Sequence, residues 1–290
     1  MDTKKVITSL EDAVKEFQAI NEKFLGTPRD SYAWYRGQAK DWDLLPGIMR
    51  PGLVKAFSSI EFAGRNHLVL QRYLFEKFVK LSAGLRSNEC NDLVSMYFLA
   101  QHYGLQSFLL DWTIYPLVAL FFAVENDSIS EDGVLYAITP KMIFELYSVF
   151  EQNDSFVHSC IATLLNKPLL PEKEEEYNRI LGKLQNYINQ HHPTIPRPII
   201  SIIPNKTNYR IDKQGARFLL YLNGAQALTP EDCGTGMAKY YIPQQYKQKI
   251  KEQLRALFGI SYGYIFGDLD SIVKEVKWMF NVHNIVDETP

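Results

Sequence analysis

Three short stretches of this 290-residue chain hold the side chains best suited to chemistry. The first is Tyr35-Arg36-Gly37-Gln38, an arginine set among strong strand formers. An arginine on an apolar, aromatic strand is costly unless it is paired, and its planar fork suits a diphosphate or a carboxylate. Arg36 is therefore either a ligand-binding residue or half of a structural ion pair, with Asp111 or Glu76 as partner. The second stretch, Gln101-His102-Tyr103-Gly104, reads as a helix end with a left-handed glycine stop at Gly104. The third is Asp111-Trp112-Thr113, between the short apolar run 108–110 and a second apolar run, 117–124. Polar side chains in such a setting must find partners or do chemistry. The plainer alternative is a hydrogen-bonded core turn, with Thr113 capping the entry to a helix.

These residues need elements to hold them. Residues 108–110 read as a buried strand with the polar cluster at its end. Pro116 is placed to open a helix, and the run 117–124 is apolar nearly all round, so that helix should be central. Leu120, Phe121 and Val124 are expected to floor a cleft. Ahead of them, Thr8-Ser9-Leu10-Glu11 has the form of a capping box for a helix carrying Leu10, Ala13, Val14, Phe17, Ile20 and Phe24 at helical spacing. Pro28 and Asp30 break it. Residues 60–81 form a long helical pattern, with Gly84 as a stop, and Asn91 is placed to cap the helix that leads to Gln101. Strands are expected at 133–139, 199–203 and 239–243, with 209–220 a polar loop turning into a strand. Residues 172–176 are a charge run opening a helix, and 191–198 are a loop. A helix at 246–258 should stop at Gly259, and Asp268 should cap a last helix through Ile272, Val273 and Val276. Strands and helices are interspersed without regular alternation, which makes the class α+β, in a single domain over 1–290.

Composition narrows the function classes. Hydrophobic residues at 46% supply material for a sizeable core, and a net charge of −2 argues against non-specific binding of nucleic acid by the whole chain. Cys90, Cys160 and Cys233 are scattered and odd in number, which fits a reducing cytoplasm better than a disulfide framework. His191-His192 lacks the spacing of a metal site, so no metal is expected. No stretch approaches the roughly 20 apolar residues that span a bilayer, and no signal peptide is visible, so no membrane is expected. Arg197, Lys206, Arg210, Lys213 and Arg217 interleave with His191, His192 and Tyr209. Such a set either holds a single-stranded nucleic acid or is ordinary surface charge.

In order along the chain, Tyr35-Arg36-Gly37-Gln38, Leu45-Pro46 with Arg50, Gln101-His102-Tyr103-Gly104, and Leu110-Asp111-Trp112-Thr113 with Pro116 resemble the pattern of the FRG-domain family. Arg210 with Gln214-Gly215 and Phe218, and then Phe266-Gly267-Asp268-Leu269-Asp270, continue it. The resemblance covers 32–280, behind an N-terminal helix within 1–30. It departs at Gly267, where the family usually carries proline. More remotely, the order Tyr35-Arg36-Gly37, Asp111-Trp112-Thr113, Gln214-Gly215 is similar to the Arg-Ser-Glu class of ADP-ribosyltransferases. That resemblance implies a split, twisted β-sandwich wrapped by helices around an NAD cleft, with NAD as co-substrate. Arg36 would hold the NAD phosphates and orient the nicotinamide ribose. Thr113 would brace the arginine strand, while Asp111 would orient His102 or Arg36. Tyr35, Gly37, Gln38, His102, Tyr103 and Trp112 would line the cofactor site, and Gln214 would stand where that class has its catalytic Glu. A neutral Gln stabilises an oxocarbenium-like centre less well than a carboxylate. Another acid would then serve, with Asp111, Glu76 and Asp212 as candidates, or the reaction would rely on positioning and leaving-group stabilisation, or the cleft would bind without chemistry. The implied target is a macromolecule, nucleic acid or protein, met by Arg210, Lys213 and Arg217. The implied setting is a bacterial toxin or phage-defence effector restrained by a neutralising partner. The alternative is a non-catalytic module binding nucleotide or RNA. Either way, Arg36, Asp111, Thr113 and Gln214 should converge on one cleft, since unpaired buried ions cost several kcal/mol.

Overall fold

An almost wholly apolar run such as 117–124 belongs in the interior, and the chain is built round it. The computed structural model describes residues 5–22, 32–56, 67–85, 92–126, 130–139, 154–165, 171–191, 199–204, 212–222 and 225–280. In order these form β1 Lys5–Val6, α1 Leu10–Asn21, β2 Trp34–Gln38, α2 Pro51–Ala56, α3 His67–Leu81, α4 Leu93–His102, β3 Leu109–Thr113, α5 Pro116–Val124 and β4 Gly133–Ile138. They continue with α6 Asp154–Leu164, α7 Pro171–His191, β5 Ile199–Ile202, β6 Ala216–Tyr221, α8 Pro230–Cys233, β7 Met237–Ile242, α9 Gln244–Phe258, α10 Tyr262–Phe266 and α11 Leu269–Met279. The fold is α+β. Among the described residues no helix is long and apolar enough to cross a membrane.

The strands make one mixed seven-stranded sheet in the order β1-β7-β4-β2-β3-β6-β5. β1 runs parallel to β7, and the other neighbours are antiparallel. Two cores pack against the sheet: the buried hydrophobic residues of β3, β5 and β6 all belong to one, while β2 alternates between both. Trp34 enters the core shared with Tyr97, Phe98 and Leu220, under α3, α4 and α6. Tyr35 enters the core shared with Leu10, Phe17, Leu120, Phe121 and Leu254, under α1, α5 and α9.

α5 lies directly on β2 and β4, and two glycines permit the approach. A Cβ on Gly37 would stand 1.8 Å from the Ala119 carbonyl oxygen, and one on Gly133 would stand 2.3 Å from that of Ala123. The motif glycine after Arg36 is thus required by the helix above it.

The sheet is continuous only in a limited sense. β2 pairs with β4 through five residues, and β3 pairs with β6 through five. Between β2 and β3 only Tyr35↔Thr113 is paired. In that antiparallel register the next rung would set Gly37 opposite Asp111, but the strands have parted there. The result is two sub-sheets, β1-β7-β4-β2 and β3-β6-β5, joined at one rung and open beyond it.

Several local expectations shift. β3 runs on to Thr113, so Asp111-Trp112-Thr113 forms the last three residues of the strand instead of following it. The N-cap of α1 is Ser9, and the reciprocal box is not closed on it. Ser9 accepts from the Asp12 N–H, while the Asp12 carboxylate accepts from the N–H and hydroxyl of Thr8. The N-cap of α4 is Asp92, whose carboxylate accepts from Val94 and Ser95. Asn91, Pro28, Asp30 and the first residues of the 60–81 helix lie outside the described residues. The glycine stops at Gly104 and Gly259 adopt positive φ, and Asp268 caps α11 through Ser271. Gly267 has φ +67°, which a proline locked near −65° cannot adopt.

Candidate functional site at the parting of the sheet

Where β2 and β3 part, a cavity of about 340 Å³ opens between α4 and α5. Its lining includes Arg36, Gly37, Phe98, Gln101, His102, Asp111, Trp112, Thr113, Phe122 and Gln214. The four residues expected to converge, Arg36, Asp111, Thr113 and Gln214, all stand on its wall.

Arg36 bridges the gap left by the missing rung. Its guanidinium donates to the Asp111 carbonyl at 2.6 Å, the oxygen that a continued ladder would have used. Its Nε donates to Gln38 Oε1 at 3.2 Å. Gln38 is buried and in turn donates to the Trp42 carbonyl, so it positions Arg36 instead of lining the cavity. Burial pushes the Arg36 pKa down to about 10, with Asp111 opposing the shift and Arg50 adding to it. At neutral pH the group is still a cation.

Asp111 was expected to be buried, yet its side chain is exposed to the opened gap. Both carboxylate oxygens accept from Gln101 Nε2, at 3.2 and 3.1 Å. Gln101 is held by Ser107, whose hydroxyl donates to Gln101 Oε1 at 2.6 Å and accepts from the Leu109 N–H. A rigid chain of hydrogen bonds therefore fixes the carboxylate from behind. Gln101 was missed as a partner, and the only signal was a polar residue at a helix end ten positions before an acid.

Thr113 and Gln214 form the joint below the cavity. The Thr113 hydroxyl donates to the Gln214 carbonyl at 2.5 Å and accepts from the Tyr115 N–H at 2.9 Å. The Gln214 side-chain amide donates to the Ile265 carbonyl at 3.0 Å, tying the loop before β6 to α10. Thr113 thus holds the backbone N–H of Tyr115, the N-cap residue of α5, and fastens β3 to the loop before β6 at the one closed rung. Gly215, at φ +54°, closes against the Tyr115 ring, which a Cβ would meet at 2.7 Å.

The remaining expected residues divide. His102 and Trp112 line the cavity. The Trp112 indole N–H is buried with no hydrogen-bond partner among the described residues. Tyr35 belongs to the wall, but its ring is turned into the core against Phe17, and its hydroxyl accepts from Asn21 at 2.6 Å. Tyr103 is 74% exposed and does not line the cavity. The floor is also corrected. Val118, Ala119 and Phe122 of α5 face the cavity, whereas Leu120, Phe121 and Val124 are buried in the core. Apolar phase along a helix says which side is covered only once the helix is docked. Phe98 stacks on Phe218 at 5.2 Å between centroids, giving the cavity an aromatic end that was also missed.

Of the three candidate acids, only Asp111 reaches the cavity. Glu76 lies on a separate groove with Phe75, Val79 and Met96. Asp212 is exposed outside the lining, and its carbonyl accepts from the Gly215 N–H. Of the basic set, the described members Lys213 and Arg217 do not line the cavity. Lys213 lies over the Tyr264 ring at 5.8 Å, and Arg217 donates to the Ala216 carbonyl on the face of β6 away from Phe218. Arg197, Lys206, Tyr209, Arg210 and His192 fall outside the described residues.

Residues 31–132 match the family model described as the FRG domain. This stretch is an FRG domain. It contains both walls of the gap, from β2 through α5, while the late motifs around Gln214 and Phe266 lie beyond the match. Within the FRG domain the Tyr-Arg-Gly-Gln strand supplies the cation and the Asp-Trp-Thr strand supplies the carboxylate. No curated protein and no solved structure matches the chain.

A guanidinium, a fixed carboxylate and an aromatic end around one cavity suit a ligand with an anionic part, a hydroxylated part and a flat ring. Among the described residues no group of three or more His, Cys, Asp or Glu could hold a metal ion. Cys160 is buried, which pushes its thiol well up and away from nucleophilic use.

Proposed function

We propose that the chain is an NAD-dependent ADP-ribosyltransferase that modifies a macromolecule. The observation that supports this best is the placement of Arg36 and Asp111 on the two sides of the parted strands, at one cavity. Arg36 takes the NAD diphosphate on its planar fork. The flat nicotinamide packs toward Phe98 and Phe218. Asp111 takes the role that the transferase class gives to Glu. Its carboxylate holds the ribose hydroxyl and stabilises positive charge as the bond from ribose C1′ to nicotinamide breaks. The acceptor then forms its bond to C1′ and loses a proton, and nicotinamide leaves. Gln214 is a joint in this scheme, holding β6 and α10 to the Thr113 rung. The setting is a toxin or phage-defence effector in the cytoplasm, kept in check by a neutralising partner.

Incubation of the pure chain with labelled NAD and cell lysate tests the proposal. Label should appear on protein or nucleic acid with stoichiometric release of nicotinamide, and should be lost with Asp111→Asn. Absence of both products from a folded sample would rule the reaction out. The second reading, a cleft that binds nucleotide or RNA without chemistry, draws support from the neutral Gln214 in place of Glu. It differs in one outcome: Asp111→Asn then leaves a measurable ligand affinity and there is no turnover to lose.

A further inference from the structure

The last described helix, α11, leaves an apolar side uncovered. Among its described side chains, Ser271 and Glu275 are the ones turned to the body. Ser271 is buried, and one oxygen of Glu275 accepts from the Ser261 hydroxyl at 2.6 Å and the Gly263 N–H at 2.8 Å. Its other oxygen lies 3.7 Å from Arg255 of α9. The outward side carries Leu269, Ile272, Val273, Val276 and Met279, with Phe280 following the helix, and all six are exposed, Leu269 by 79% and Phe280 by 73%. Their spacing of i, i+3, i+4, i+7, i+10 and i+11 lays them on a single stripe that repeats every seven residues. A contiguous apolar stripe of this kind marks an interaction surface.

Charge placement identifies the occupant. Asp270 and Lys277 are exposed, seven residues apart, on the same flank of the stripe. The opposite flank is Glu275, already committed to its own protomer. In an antiparallel pairing of two such helices, each Asp270 meets the other copy's Lys277, and Val273 and Val276 meet at the centre. In a parallel pairing Asp270 and Lys277 would face the other copy's opposite flank, where Glu275 is already bonded within its own protomer. We propose that α11 is a self-association surface on which two copies of this chain pack antiparallel about a two-fold axis, an isologous contact. A helix of eleven residues is about 16 Å long. The interface therefore falls at the small end of stable contacts, below about 1,200 Å², and the dimer should exchange in the micromolar range. This surface is distinct from the cavity and does not depend on the transferase reading.

Analytical ultracentrifugation of the full chain across the micromolar range is the test. The mean mass should rise from one chain towards two. Val276→Asp should hold it at one chain, with an unchanged melting curve because the residue is exposed. Asp270→Lys should weaken the dimer about five- to tenfold, as two attractive pairs become repulsive. The double variant Asp270→Lys with Lys277→Asp should restore it. A wild-type chain that stays at one mass overturns the proposal, including the case in which the stripe binds anionic vesicles or another protein instead. So does a dimer that survives Val276→Asp, or a charge swap that fails to restore association.

Discussion

Arg36 holds the two sub-sheets at the point where backbone pairing stops. Its fork donates to the Asp111 carbonyl and to Gln38, yet it remains on the wall of the cavity. Lysine cannot reproduce that fork, so Arg36→Lys should weaken NAD binding about tenfold or more, measured by calorimetric titration. Its pKa of about 10 lies below the ordinary arginine value because burial penalises the cation. The unfolded chain keeps this proton to higher pH than the fold does. Arg36 therefore costs stability at neutral pH, and that cost is relieved as pH rises above about 10. An anionic ligand needs the cation, so NAD affinity should be flat near neutrality and fall as pH passes about 10, which the same titration would show. Thr113 acts through two hydrogen bonds, to the Gln214 carbonyl and from the Tyr115 N–H. Thr113→Val should cost about 2 kcal/mol in chemical denaturation, and Thr113→Ser much less. The need of Arg36 for a partner could be read from the sequence, because an ion among aromatics has few alternatives. The exposure of Asp111 could not, because the cavity it faces is built from elements far apart in the chain.

At the scale of elements, α5 was the most legible piece. A proline at the start and an apolar run fixed its range at Pro116–Val124, as the structure has it. Its phase against the sheet was not legible, and so Val118, Ala119 and Phe122, not Leu120, Phe121 and Val124, face the cavity. The helix sits where it does because Gly37 and Gly133 leave room for the carbonyls of Ala119 and Ala123. Gly37→Ala should therefore destabilise the protein by about 3 kcal/mol or more, read as a lowered melting temperature, since backbone must move to accept the methyl group. Caps were legible to within one residue: Ser9 with Asp12, and Asp92. Neighbouring Thr, Ser, Asn and Asp residues are chemically interchangeable as caps, and which one starts the helix is decided by the chain's approach to it.

At the scale of the whole molecule, the route from Arg36 to Gln214 runs through strand order: β2 meets β3 at one rung, and β3 carries β6. Local patterns reveal strands but not their neighbours, which is why convergence had to be argued from the cost of stranded charge. The same limit explains α11. Its periodicity shows one apolar face, and nothing in that periodicity says whether the face meets the body or another molecule. The central claim is that the parting of β2 and β3 is a ligand site anchored by Arg36 and facing Asp111, and crystallisation of the chain with NAD tests it most directly. The expected result is the diphosphate against the Arg36 guanidinium, with the nicotinamide ribose turned towards the Asp111 carboxylate. An ordered NAD bound elsewhere, or an empty cavity at a concentration that saturates the protein in solution, would contradict it.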